Sequence, residues 1–114
     1  MRLRPVLAVV IAADGTWLAT ASGDAVRVWD RATGTCTATL GGHTGSVLAV
    51  VIAPGGTWLA TTADDGTVRI WDAAEGRTVA IARADGALHS CAWGPAHELV
   101  VGGQTGLCLF ELLT

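Results

Sequence analysis

The stretch VLAVVIAADGTWLAT (residues 6–20) returns almost unchanged as VLAVVIAPGGTWLAT (residues 47–61), an offset of 41. Outward from it, VRVWD (residues 26–30) returns as VRIWD (residues 68–72) at an offset of 42, so the first copy is one residue shorter. Thr20 and Asp24 stand over Thr61 and Asp65 at offset 41, which puts the missing residue after the Asp, where Asp24-Ala25 faces Asp65-Gly66-Thr67. A weaker third copy follows, with SCAWGP (residues 90–95) over AVVIAP (residues 49–54). Self-similarity at a period near 40 residues marks a repeat architecture, in which each unit buries its apolar face against a neighbour. The units divide as residues 1–46, 47–87 and 88–114.

Within the second unit four short runs alternate with turn residues. Residues 47–52 are apolar and end at Pro54-Gly55-Gly56. Residues 58–62 end at Asp64-Asp65-Gly66. Residues 68–71 lead into a turn at Glu75-Gly76, and a last run covers about residues 78–82. Short β-branched runs bounded by Gly, Asp and Pro are hairpin signals, and no segment sustains a helical period. The chain is expected to be all-β and antiparallel, with four strands to a unit. The third unit ends on GLCLFELLT (residues 106–114), its third strand, without a fourth.

Composition narrows the function classes. The 114 residues are 51% hydrophobic, which excludes a disordered chain. The longest apolar runs are far shorter than the ~20 residues of a membrane-spanning helix, and no cleavage site follows MRLRP. All seven basic residues are dispersed Arg in a chain of net charge −3, without the basic stripe that nucleic acid requires. No nucleic-acid or membrane partner is expected. Three cysteines without CxxC spacing read as reduced thiols of a cytoplasmic protein.

Four-stranded units of this period, with GGHTGSV (residues 41–47), IAPGGTWLATT (residues 52–62) and DDGTVRIWD (residues 64–72) in order, resemble the WD-repeat β-propeller family. The Ala/Thr-rich repeats are also similar to propellers that end bacterial signalling ATPases of the NB-ARC/NACHT type. The resemblance implies three propeller blades in an incomplete ring, the last lacking strand d. It also implies a hydrogen-bonded set in each blade, carried here by His43, Thr61, Asp65 and Trp71. The first unit keeps Thr20, Asp24 and Trp29, while its Gly-His pair falls before the chain begins. In the third unit the offsets put Ala84 at the His position, Gly102 at the Thr position and Glu111 at the Trp position, with Phe110 under Ile70.

The enzymatic candidates are few. His89 and Cys91 are two apart on a strand and so share a face, as a nucleophile pair or as two metal ligands, with His97 nearby. They align with Leu48 and Val50, ordinary strand positions, and fall short of the four ligands of structural zinc. No catalytic residue, metal or cofactor is assigned. Trp17 and Trp58 hold equivalent places and are read as packing between blades. Family resemblance places a partner-binding face on the loops between units and the turns between second and third strands, at Thr44, Ser46, Leu48, Asp64, Asp85, Leu88 and His89.

Three blades do not close a ring of the usual ~4–8. Baring ~1,000 Å² of apolar blade face would cost on the order of 25 kcal/mol. The chain is therefore expected to bind protein, first of all itself, as a closed ring of two or three copies. Alternatively it is the C-terminal piece of a longer propeller in which Met1 is no native start, and in that case the resemblance implies the sensor or regulatory propeller piece of a larger bacterial signalling ATPase.

Overall fold

A computed structural model of the chain describes residues 8–95 and 98–111. Residues 1–7, 96–97 and 112–114 lie outside them, and with them Met1, Val6, His97 and the end of the stretch 106–114. Among the described residues there are eleven strands and no helix. The first sheet is a meander of β1 (Ala8–Ile11), β2 (Trp17–Ser22), β3 (Ala25–Asp30) and β4 (Cys36–Leu40). The second repeats it with β5 (Val47–Ile52), β6 (Trp58–Ala63), β7 (Thr67–Asp72) and β8 (Arg77–Arg83). The third holds β9 (Leu88–Trp93), β10 (Glu98–Gly103) and β11 (Gly106–Glu111). All neighbours pair antiparallel. These are three propeller blades in an open arc, the last with three strands among the described residues.

The middle blade is covered on both faces, and its strand pattern shows why. Along β6 every residue after Trp58 is buried, because successive side chains point to opposite sides and each side has a neighbouring sheet. Val50, Leu59 and Trp71 pack against Ala19, Ala21, Val26, Val28 and Leu40 of the first blade. Ala60, Val68 and Ile70 pack against Leu88, Leu99 and Val101 of the third. Trp17 packs into the first of these clusters, and Trp58 stacks on Trp93 at 6.4 Å in the second. Both indoles lie between blades.

The strand register corrects the alignment of the third unit. Leu59 lies opposite Ile52 and Trp71; Leu99 lies opposite Trp93 and Phe110. Phe110, not Glu111, therefore occupies the place of Trp71, and Glu111 falls at that of Asp72. Likewise Thr61 faces Val50, and Val101 faces Cys91, so Val101 rather than Gly102 holds the Thr position. The turn between β9 and β10 is one residue shorter than that between β5 and β6. A constant offset hides such a deletion, whereas ladder pairing exposes it.

Candidate functional site

At one end of the arc the connections between blades meet the turns between second and third strands. Val47 N–H donates to the Gly23 carbonyl (2.7 Å), Asp64 N–H to Ser46 O (2.8 Å), and Ala84 N–H to Gly66 O (2.8 Å). Gly66 has a φ of +80°, and a Cβ there would lie 2.8 Å from the Ala84 carbonyl oxygen, so a side chain is doubly disfavoured. Gln104 N–H donates to Ala87 O (3.0 Å), joining the third blade's hairpin to the same surface.

Beneath this surface the structure brings His43, Thr61, Asp65 and Trp71 together. Trp71 Nε1–H donates to Thr61 Oγ1 (2.9 Å), and Thr61 Oγ1 lies 2.7 Å from His43 Nε2. His43 Nδ1 is 3.2 Å from Asp65 Oδ2. With His43 neutral and protonated on Nδ1, every donor has an acceptor: Trp71 to Thr61, Thr61 to His43, His43 to Asp65. Burial is the main influence holding the imidazole's pKa below its usual value; Asp65 opposes it, and the Arg69 charge adds to the lowering. For Asp65, burial favours the neutral acid but is outweighed by hydrogen bonds from the Thr67 hydroxyl, the Thr44 and Thr67 N–H groups and His43. Its carboxyl is held well below the usual range.

Two participants were not singled out from the sequence. Thr67 donates to Asp65 Oδ1 through its hydroxyl (2.5 Å) and its N–H (2.9 Å), and its Oγ1 is 2.9 Å from His43 Nδ1. A hydroxyl two residues after a turn Asp is a local capping signal that would have found it. Arg69 donates to Gly42 O (2.9 Å) and lies over the Trp71 ring at 5.8 Å.

The other blades differ. In the first, Trp29 Nε1–H donates to Thr20 Oγ1 (2.9 Å), but Asp24 lies exposed in a tighter turn where Ser22 pairs directly with Ala25. No hydrogen bond joins its carboxylate to Thr20 or Trp29 among the described residues. Ala25 also leaves that turn without a counterpart to Thr67. In the third blade, Val101 and Phe110 replace the Thr–Trp pair with apolar contact, and Ala84 packs against the same cluster.

The partner-face candidates separate by exposure. Thr44, Ser46, Asp64, Asp85 and His89 are exposed and Leu48 is half-buried. Leu88 is buried in the second core cluster, so it cannot offer a side chain to a partner. His89 and Cys91 do not behave as a same-face pair. The β9–β10 ladder pairs Leu88 with Gly103 and Ser90 with Gly102, leaving His89 as the extra residue of a bulge that turns it outward. Cys91 instead packs inward, and burial pushes its thiol up to about 12 against a weaker hydrogen bond with Thr62. A thiol in that state is a poor nucleophile, because the thiolate is the reactive form. No group of three or more His, Cys, Asp or Glu side chains suited to a metal occurs among the described residues.

Comparison with known proteins matches residues 3–30 and 34–72 to the family described as WD domain, G-beta repeat. The chain is 42% identical over 73 residues to nuclear distribution protein PAC1 of Arthroderma benhamiae, covering 63% of this chain and 16% of that protein. It is 34% identical over 64 residues to a ribosome biogenesis protein BOP1 homolog of Oryza sativa subsp. japonica, covering 56% and 9% respectively. It thus spans a sixth or less of these relatives. The β-propeller domain of Cps50 (Swd1) from Myceliophteria thermophila superposes with a TM-score of 0.89 at 20% identity, over 97% of this chain and 35% of that one. These relatives are fungal and plant proteins, and they lend no support to the narrower likeness to bacterial signalling ATPases.

Proposed function

The chain belongs to the WD domain, G-beta repeat family, and from that premise we propose that it is a non-catalytic protein-binding module that first binds copies of itself. The units 1–46, 47–87 and 88–114 are its blades, and two or three copies close a ring in the cytoplasm. Neither nucleic acid nor membrane is a partner in this reading.

One observation carries it. Positions equivalent by register change from buried to bare at the two ends of the arc. Val50 is 6% exposed, while its counterpart Val9 is 63% exposed. Val68 and Ile70 are 3% and 5% exposed, while their counterparts Leu107 and Leu109 are 76% and 60% exposed. The end blades carry side chains suited to a neighbouring blade and have none there among the described residues. Apolar faces of this kind mark association surfaces. The two faces differ, so self-association is head-to-tail, and it must close to avoid a filament. Thr44, Ser46, Asp64, Asp85 and His89 then form a loop surface for a further protein.

Light scattering tests the assembly. The expected mass is two or three times the 11.6 kDa chain. Val9→Asp and Leu109→Asp should each disperse it. A sharp 11.6 kDa monomer that unfolds cooperatively would overturn the proposal.

A further inference from the structure

Between the first two blades, at the end opposite the connecting loops, lies a cleft of about 290 Å³. Trp17 and Val28 of the first blade and the small residues Gly56, Ala73 and Ala74 of the second line it. Thr16, Asp30 and Thr37 supply its polar side chains. The size falls just below the usual range for small-molecule pockets and suits a single side chain. At the next blade junction the stacked Trp58 and Trp93 bring two indoles together, whereas Trp17 has Ile52 in the place of Trp93.

The threonine and aspartate side chains here offer acceptors, while the one donor beside them is Trp17 Nε1–H, 3.9 Å from where a Cβ on Gly56 would stand. The Thr16 hydroxyl already donates to Asp14 (2.8 Å), and the Thr37 hydroxyl donates to the Val28 carbonyl (3.2 Å). Each therefore has lone pairs to offer but no proton. Asp30 Oδ1 accepts the N–H groups of Ala32 (2.9 Å) and Thr33 (3.1 Å), and no hydrogen bond to Oδ2 accompanies them among the described residues. The adjacent Arg31 sends its guanidinium to the Gly15 carbonyl (3.4 Å) and does not line the cleft. The cleft thus combines spare acceptors, a half-buried carboxylate and an indole ring. A cationic group bearing several N–H donors complements all three, through charge-assisted hydrogen bonds and cation–π attraction.

We propose that this cleft binds a lysine or arginine side chain presented by a partner protein. The site is separate from the blade faces invoked in self-association and does not depend on them. Its ligand enters beside Trp17 with its nitrogen on Asp30 Oδ2.

The test follows the five tryptophan indole N–H signals by NMR during titration with Nα-acetyl-lysine methylamide, Nα-acetyl-arginine methylamide and the neutral Nα-acetyl-norleucine methylamide. The Trp17 signal should shift and saturate at millimolar concentration with the two cationic probes and stay still with norleucine. Asp30→Asn retains Oδ1 for the turn and should weaken binding about tenfold or more, equivalent to roughly 1.4 kcal/mol. Ala74→Leu should block the cleft without touching Asp30. Unmoved Trp29 and Trp71 signals establish that both variants are folded. Equal binding of norleucine, equal affinity in Asp30→Asn, or no shift at Trp17 with any probe would each overturn the proposal. Light scattering of the same samples reads self-association separately, so either idea can fail alone.

Discussion

Phe110 lies opposite Leu99 across the β10–β11 ladder, the place that Trp71 holds opposite Leu59 one blade earlier. Beside it Val101 stands where Thr61 stands. The third blade has thus exchanged both members of a buried hydrogen bond for apolar groups. Replacing both partners is energetically mild, whereas removing one strands the other.

That contrast predicts a double-mutant cycle. Val101→Thr should destabilise the chain by about 1–3 kcal/mol, since its hydroxyl would face Phe110 without a partner. Adding Phe110→Trp should recover part of the loss by restoring an indole donor. Urea unfolding of the four proteins measures the coupling, and strict additivity would sink the idea.

Thr61→Val should cost about 1–3 kcal/mol, because it orphans the Trp71 indole N–H and leaves His43 Nε2 without its donor. Thr20→Val removes one bond at a half-buried pair that lacks the His and Asp, and its cost should be smaller. Unfolding midpoints of the two variants decide the order; a larger loss at Thr20 would contradict the described network.

Acid should act in two stages. The folded state holds His43 below the ordinary 6.5, so as pH falls below that value the unfolded chain takes up a proton that the folded chain does not. Stability contributed by neutral His43 is therefore present above pH 6.5 and declines beneath it. Asp65 is also depressed, so its contribution is present above the ordinary 3.8 and is lost as pH falls further. Chemical denaturation monitored across this range should show falling stability in both windows. His43→Gln should flatten the upper one, and an unchanged upper window would refute the assignment.

Cysteine alkylation should divide the thiols two to one. Cys36 and Cys108 are exposed, whereas Cys91 is half-buried and carries a thiol raised to about 12 from 9.0. At a given pH that leaves about a thousandfold less thiolate than an ordinary thiol has. Iodoacetamide labelling of the native protein, read by peptide mass spectrometry, should modify Cys91 last by a wide margin. Fast labelling of Cys91 would mean that the second and third blades separate readily.

The repeat at residues 6–20 and 47–61, with the Trp-Asp pairs at Trp29-Asp30 and Trp71-Asp72, determined the strand order within a blade and the number of blades seen among the described residues. Those features are local: turn residues, alternation and period are written within one unit. Register was not legible in the third unit, because a one-residue deletion shifts every later alignment and reads as substitution until strands are paired. The meeting of His43, Thr61, Asp65 and Trp71 was expected only from family resemblance, and Thr67 entered only through geometry. Which faces are bare was likewise decided by tertiary structure. Val9 and Val50 are the same residue in nearly the same sequence, and only the presence of a neighbouring blade makes one buried and the other exposed.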